Sequence, residues 1–185
     1  MRKTIVCVAV LISSIVGVHV AGSAAQTKAS RDEATKAIRA AVYQMMKAAL
    51  TSDAETFKRH AAKRTLDLIN LVYEAAQRDP RFQKELQAAR ISSADQFLGY
   101  FLQGMATQFL QVGPLSPEAA ARRVASDSTI SFVSDTQAKI IAGNLGAARA
   151  RFAGKQWKID LTDLFKKPVL EEIKDPDLRA RIKNL

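Results

Sequence analysis

One cysteine, Cys7, and two histidines, His19 and His60, are the whole supply of thiol and imidazole ligands in 185 residues. So few exclude a disulfide scaffold and a Cys-rich metal site. Five prolines and eight glycines are too few for a collagen-like or linker-rich chain, and a hydrophobic share of 48% is too high for a disordered one. Aromatics are scarce at 6%, with Trp157 the single tryptophan. There is no Gly-rich phosphate loop and no Gly-x-Ser-x-Gly elbow. Acidic residues are also in short supply: 18 against 28 basic ones leave a net charge of +10.

The one long apolar run lies at the N-terminus. Arg2 and Lys3 precede Thr4 to Val20, and Ala21, Gly22, Ser23, Ala24 and Ala25 follow. That order, basic then apolar then small, is the layout of a secretory signal peptide spanning 1–25, with Ser23 and Ala25 at the −3 and −1 positions of a cut after Ala25. Cys7 lies early in the run, which argues against a lipid-modified cysteine at the cut. The run approaches the ~18 residues of a membrane span, so an uncleaved anchor is the alternative. Cleavage removes Cys7, His19 and two of the basic residues. The remainder has no thiol and His60 alone, which excludes ordinary zinc ligation and leads to the expectation of no cofactor. The expected location is outside the cytoplasm, periplasmic or extracellular.

Hydrophobic spacing changes near Ser126. Upstream it is helical. Ser30-Arg31-Asp32-Glu33 reads as a capping box opening a helix whose stripe is Ile38, Ala41, Val42, Met45 and Met46. Ser52-Asp53-Ala54-Glu55 opens the next, carried by Phe57, Leu66, Ile69, Leu71 and Val72 as far as Asp79-Pro80, which caps a further helix. Ser93 and Gln96 precede the most apolar helix, Phe97 to Val112. Gly113-Pro114 stops it, and Ser116-Pro117-Glu118 starts a short one to about Val124.

Downstream the spacing is two. Strands are expected over Thr129–Val133, Thr136–Ala142, Ala147–Phe152 and Gln156–Leu161. Ala148, Ala150 and Phe152 share a face opposite Arg149 and Arg151; Trp157, Ile159 and Leu161 share one opposite Lys158 and Asp160. A hairpin about Ala153-Gly154 then sets Ala150 against Trp157 and Ala148 against Ile159, with Asp160 in surface reach of Arg149. Residues 26–165 read as one domain and 166–185 as a charged tail, docked or frayed, with a short helix from Asp175-Pro176-Asp177 to Arg181. The expected class is α+β: N-terminal helices packed on a C-terminal curved antiparallel sheet of about four strands.

Three stretches carry a resemblance. Ala48-Ala49-Leu50-Thr51-Ser52-Asp53-Ala54-Glu55 is an alanine-rich helix end followed by a polar turn. Gly143 to Phe152 is a pair of strands with small residues, and Gly154-Lys155-Gln156-Trp157-Lys158-Ile159-Asp160-Leu161 is a closing strand of glycine, tryptophan, base and aliphatics. Together they resemble the nuclear transport factor two-like, or cystatin-like, superfamily of α+β cones; Arg64 to Val124 departs from it with more helix. The resemblance implies a sheet wrapped around a long helix, a pocket, and either an enzyme of the isomerase or dehydratase type or a non-catalytic binder. It also implies pairing of two copies through the sheet.

Few residues qualify for chemistry. Asp67 lies on an otherwise apolar helix, with Tyr73 and Tyr100 as companions for a pocket base. Asp53 and Asp95 lie in first helical turns, where stabilising the helix end explains them. His60 sits among Arg59, Lys63 and Arg64, whose charge opposes protonation. Phe97, Phe101, Met105, Phe109 and Trp157 either fill a core or line a site for a lipid-like ligand. The basic residues, clustered only over Lys58–Arg64, either form a solvated face or attract an anionic envelope surface. A nucleic-acid partner is not expected, for want of basic-aromatic interleaving. The reading is an exported non-catalytic binding domain for an apolar small molecule or an envelope partner. A pocket enzyme and a structural interaction protein are the alternatives.

Overall fold

A computed structural model describes residues 28–110, 115–143 and 146–185. The expected signal segment 1–25 and the Gly113-Pro114 stop lie outside these residues. Helices come first: α1 (Lys28–Leu50), α2 (Ala54–His60), α3 (Lys63–Arg78), α4 (Pro80–Ala88), α5 (Ala94–Leu110) and α6 (Pro117–Asp127). Four strands follow, β1 (Thr129–Ser134), β2 (Gln137–Ile141), β3 (Ala147–Ala153) and β4 (Gln156–Asp160), then α7 (Thr162–Glu172) and α8 (Pro176–Lys183). The sheet is an antiparallel meander in the order β1-β2-β3-β4. The class is α+β.

α1 is the axis of the core. Its stripe of Ile38, Ala41, Val42 and Met45 is buried against α2, α5, α6 and β4, while Met46 is half-buried toward α6. The helix is already formed at Lys28, so Ser30 lies inside it and not at its cap. Lys and Ala favour helix, and nothing between Lys28 and Ser30 interrupts it. At the other end, Ser52 does not cap α2. With φ at +57° it is the left-handed residue that ends α1, the Ser52 N–H donating to Ala49 and the Asp53 N–H to Ala48, two bonds that close a Schellman turn. Asp53 is the cap, accepting from the Thr56 N–H at 3.0 Å.

The single helix expected between Asp53 and Arg78 is two. Ala61 and Ala62 are extended, and Ala62 donates its N–H to the Ile159 carbonyl at 2.8 Å. Pairing with a sheet edge outweighs the helical preference of two alanines. The caps at Asp79-Pro80, Ser93 and Ser116-Pro117 are as expected. Gln96, however, reaches back to Ser92, one residue earlier than Ser93.

The strands keep the expected parity but not the expected register. The loop is Gly154-Lys155, with φ of +57° and +71°, so Ala153 faces Gln156, Phe152 faces Trp157 and Ala150 faces Ile159. Two left-handed loop residues make a tight turn matched to strand twist. They displace the pairing by two residues from Ala150 opposite Trp157, which leaves every side chain on its expected face. Ala138, Ile140, Ala150, Trp157 and Ile159 are buried on the inner face.

The charged tail is docked. α7, which the sequence pattern did not reveal, runs through residues 165 and 166, and with α8 it buries Val169, Ile173, Leu178 and Ile182 against Leu68 and Leu71 of α3. Arg181 and Arg78 both bind Glu74, and Arg78 also reaches Asp175, which ties the tail to α3 at its rim.

Candidate functional site: the basic outer face of the sheet

Strand alternation sends Ser131, Lys139, Arg149, Arg151, Lys158 and Asp160 to the face away from α1. Register sets Ser131, Lys139, Arg149 and Asp160 in one row across all four strands, and Arg151 opposite Lys158. Like charges side by side oppose one another, and most of these cations turn to an acceptor. Arg149 donates through Nε to Asp163 on α7 at 2.7 Å, and Arg151 through Nε to Asp160 at 2.9 Å. Lys158 donates to the Arg59 carbonyl. Lys139, exposed, has no ion-pair or hydrogen-bond partner among the described residues.

Asp160 is not the surface contact that the sequence indicates. It is 2% exposed, and its carboxylate accepts from Arg151, from Arg64 Nη1 at 3.2 Å and from the Thr162 N–H at 3.0 Å. α3 and the start of α7 close over it, a long-range burial that strand alternation does not reveal. Burial pushes the carboxyl pKa up, but hydrogen bonding from Thr162 and the charges of Arg151 and Arg64 outweigh it, and the net shift is downward. The strands of this face therefore contribute one acid, held inside by two arginines; Asp163 on α7 offsets Arg149 at the rim, and Lys139 is left exposed without a partner among the described residues.

The basic zone continues onto the corner between α2 and α3. His60 is half-buried there, and burial first, then Lys158 and Arg59, holds its pKa below the ordinary 6.5. Its imidazole is neutral at neutral pH, with no carboxylate among the described residues beside it to orient it. On the other side the face adjoins an open cleft of about 540 Å³ rimmed by Asp163, Lys166, Lys167, Leu170, Glu171 and Arg179. A second open cleft of about 430 Å³ lies apart, on α6 around Arg122 and Arg123.

Neither cleft includes the residues nominated for a pocket. Asp67 is bound to Lys63 at 2.7 Å. Tyr73 is buried against Phe97, its ring centroid 5.3 Å away and its hydroxyl without a partner among the described residues, and Tyr100 is exposed. No hydrogen bond joins Asp67 to either tyrosine. Phe97 is buried in the main core. Phe101 and Met105 are packed against it, with Phe101 edge-on to Phe165. Trp157 is buried edge-on to Phe132 and Phe152. Phe109 lies in α5, but its side chain is outside the described set. Among the described residues no group of three His, Cys, Asp or Glu is placed to hold a metal ion, and no helix is long and apolar enough to cross a membrane.

The sequence pattern puts Arg149, Arg151, Lys158 and Asp160 on one face without marking that face as functional, and Lys139 is missing from the pattern. Alternation along Gln137–Ile141 is the signal that would have added that residue. No protein-family model matches the chain, and neither a curated protein nor a solved structure does.

Proposed function

We propose that this chain is an exported, non-catalytic binding domain whose basic outer sheet face engages an acidic partner in the cell envelope. The observation that carries the reading is the charge arrangement of that face. Lys139, Arg149, Arg151 and Lys158 share one face, the acid of that face, Asp160, is buried and already bound, and Asp163 on α7 meets Arg149 alone. Export is part of the proposal and rests on the order of residues in 1–25. So is kinship with the cone superfamily, which rests on the first and third stretches quoted above and on helices preceding a four-stranded antiparallel sheet; the second, Gly143 to Phe152, holds one strand, β3, and not a pair.

The apolar-ligand reading keeps one support. Phe152 is 45% exposed beside Trp157, an aromatic corner at the hairpin end of the inner face. The Asp67–tyrosine enzyme has less, since Asp67 is engaged by Lys63 and the Tyr73 hydroxyl touches no acid.

The test uses polyglutamate as probe, with fluorescence anisotropy across a salt series. Binding at low salt that weakens as salt rises, and that is lost in Lys139→Glu/Arg149→Gln, is the expected result. No binding at low salt, or full affinity in the double variant, would refute the face as the site. Terminal sequencing of the protein recovered from outside the cytoplasm tests export: a start at Gln26 is expected, and an intact N-terminus on a cytoplasmic protein would overturn it.

A further inference from the structure

The two edges of the sheet are finished differently. β4 is closed: Ala61 forms a parallel bridge with Ile159, the Ala62 N–H donates to the Ile159 carbonyl, and Lys158 reaches the Arg59 carbonyl. β1 pairs with β2 alone among the described residues, and no backbone hydrogen bond from elsewhere reaches Thr129–Phe132. Exposed edges are ordinarily blunted with lysine, proline or inward charge, yet Thr129-Ile130-Ser131-Phe132-Val133-Ser134 contains none of these. Its one irregularity is a bulge at Val133, which leaves Thr129–Phe132 as a regular stretch with unpaired outward N–H and C=O groups.

We propose that this open edge receives an extended acidic segment of a partner protein, added as a fifth strand with apolar and acidic side chains in alternation. On the inner side Ile130 and Phe132 are only half-buried where they end the apolar rows, so an apolar side chain beside them prolongs the core. On the outer side the row runs Ser131, Lys139, Arg149, Asp160. An acid on the added strand faces the unpartnered Lys139 across the small Ser131. A second copy of the chain is disfavoured because each remains strongly positive: loss of 1–25 takes only Arg2 and Lys3 from the +10 of the whole chain. The inference rests on the acidic-partner reading above and adds where the segment lies and in what conformation.

Three labelled probes separate the two ideas: polyglutamate, a short peptide alternating Val and Glu, and a peptide of that composition with Val and Glu in blocks. The alternating peptide is expected to bind about tenfold tighter than the block peptide, because the strand ladder adds to charge. It should slow hydrogen exchange at the amides of Thr129–Phe132. Thr129→Asp/Ser131→Asp, at two exposed positions, should weaken it about tenfold by like-charge contact. If the acidic probes bind equally with no protection in β1, the edge proposal fails and the face reading stands; if none binds, both fail. Protection of β1 in the unmodified protein decides the matter should the double variant not fold. A dimer in sedimentation that the double variant dissolves assigns the edge to a second copy and overturns the proposal.

Discussion

Replacing Asp160 with asparagine tests whether a buried charge joins the sheet to the helices around it. The carboxylate is 2% exposed and bound by Arg64, Arg151 and the Thr162 N–H. Asparagine keeps the shape and one acceptor, but turns an amide N–H₂ toward at least one guanidinium and leaves both arginines unneutralised. Breaking a buried ion pair from one side costs about 3–5 kcal/mol. Here Arg64 and Arg151 are 32% and 30% exposed, so water recovers part of the loss and about 2–3 kcal/mol remains. That corresponds to a fall in Tm of roughly 5–10 °C for a chain of this size. Urea unfolding followed through Trp157, the only tryptophan and the neighbour of this site in β4, gives the magnitude directly. The pH dependence gives a second check. The folded carboxyl titrates below its ordinary 3.8, so its contribution is complete above about pH 4 and is lost as pH falls through the folded value. The stability curves of the unmodified protein and the Asp160→Asn variant should therefore converge in acid. Equal stability at neutral pH, or a gap that persists undiminished well below pH 4, would refute the account.

Three further substitutions have outcomes set by local geometry. Ser52→Gly, at the left-handed residue that ends α1, should raise stability by about 0.5–1 kcal/mol in urea unfolding. Tyr73→Phe removes a buried hydroxyl that has no partner among the described residues, and should leave stability unchanged or raise it by up to about 1 kcal/mol; a clear loss would mean that the hydroxyl is satisfied. Leu178→Ala empties a fully buried site between α8 and α3 and should cost about 2–5 kcal/mol. Limited proteolysis should then cut within the tail first; a tail as resistant as before would show that α8 is held by its ion pairs instead.

How much was legible depended on how local the cause was. Caps at Asp79 and Ser116 are decided within four residues, and both were readable. Strand parity was readable for the same reason: Arg149 and Arg151 alternate with Ala148 and Ala150 whatever the partner strand does. The hairpin register was not. It depends on Lys155 taking a positive φ beside Gly154, and lysine gives no sign of that. The break at Ala61-Ala62 was invisible because both residues favour helix, and the bridge to Ile159 that extends them is nearly a hundred positions away. α7 was hidden by Pro168, which sits inside the helix and interrupts a run of charges. The site was half readable on these terms: its cations follow from alternation, but the burial of Asp160 follows from Arg64 and α7.

Lys139 allows function to be separated from folding. It stands opposite Arg149 on one side and Ser131 on the other, with no acid of its own among the described residues. Like charges directly opposite in a sheet cost stability, and an acid beside Arg149 would gain some. A face shaped by folding alone has no use for a second cation in that row. Lys139→Glu should therefore stabilise the fold by about 0.5–1 kcal/mol in urea, while lowering the affinity for polyglutamate. Opposite signs for the two effects are what a binding surface maintained at some cost to stability predicts. A variant that loses stability instead would mean that Lys139 is held by the fold for packing, and the argument from its lack of a partner would fall.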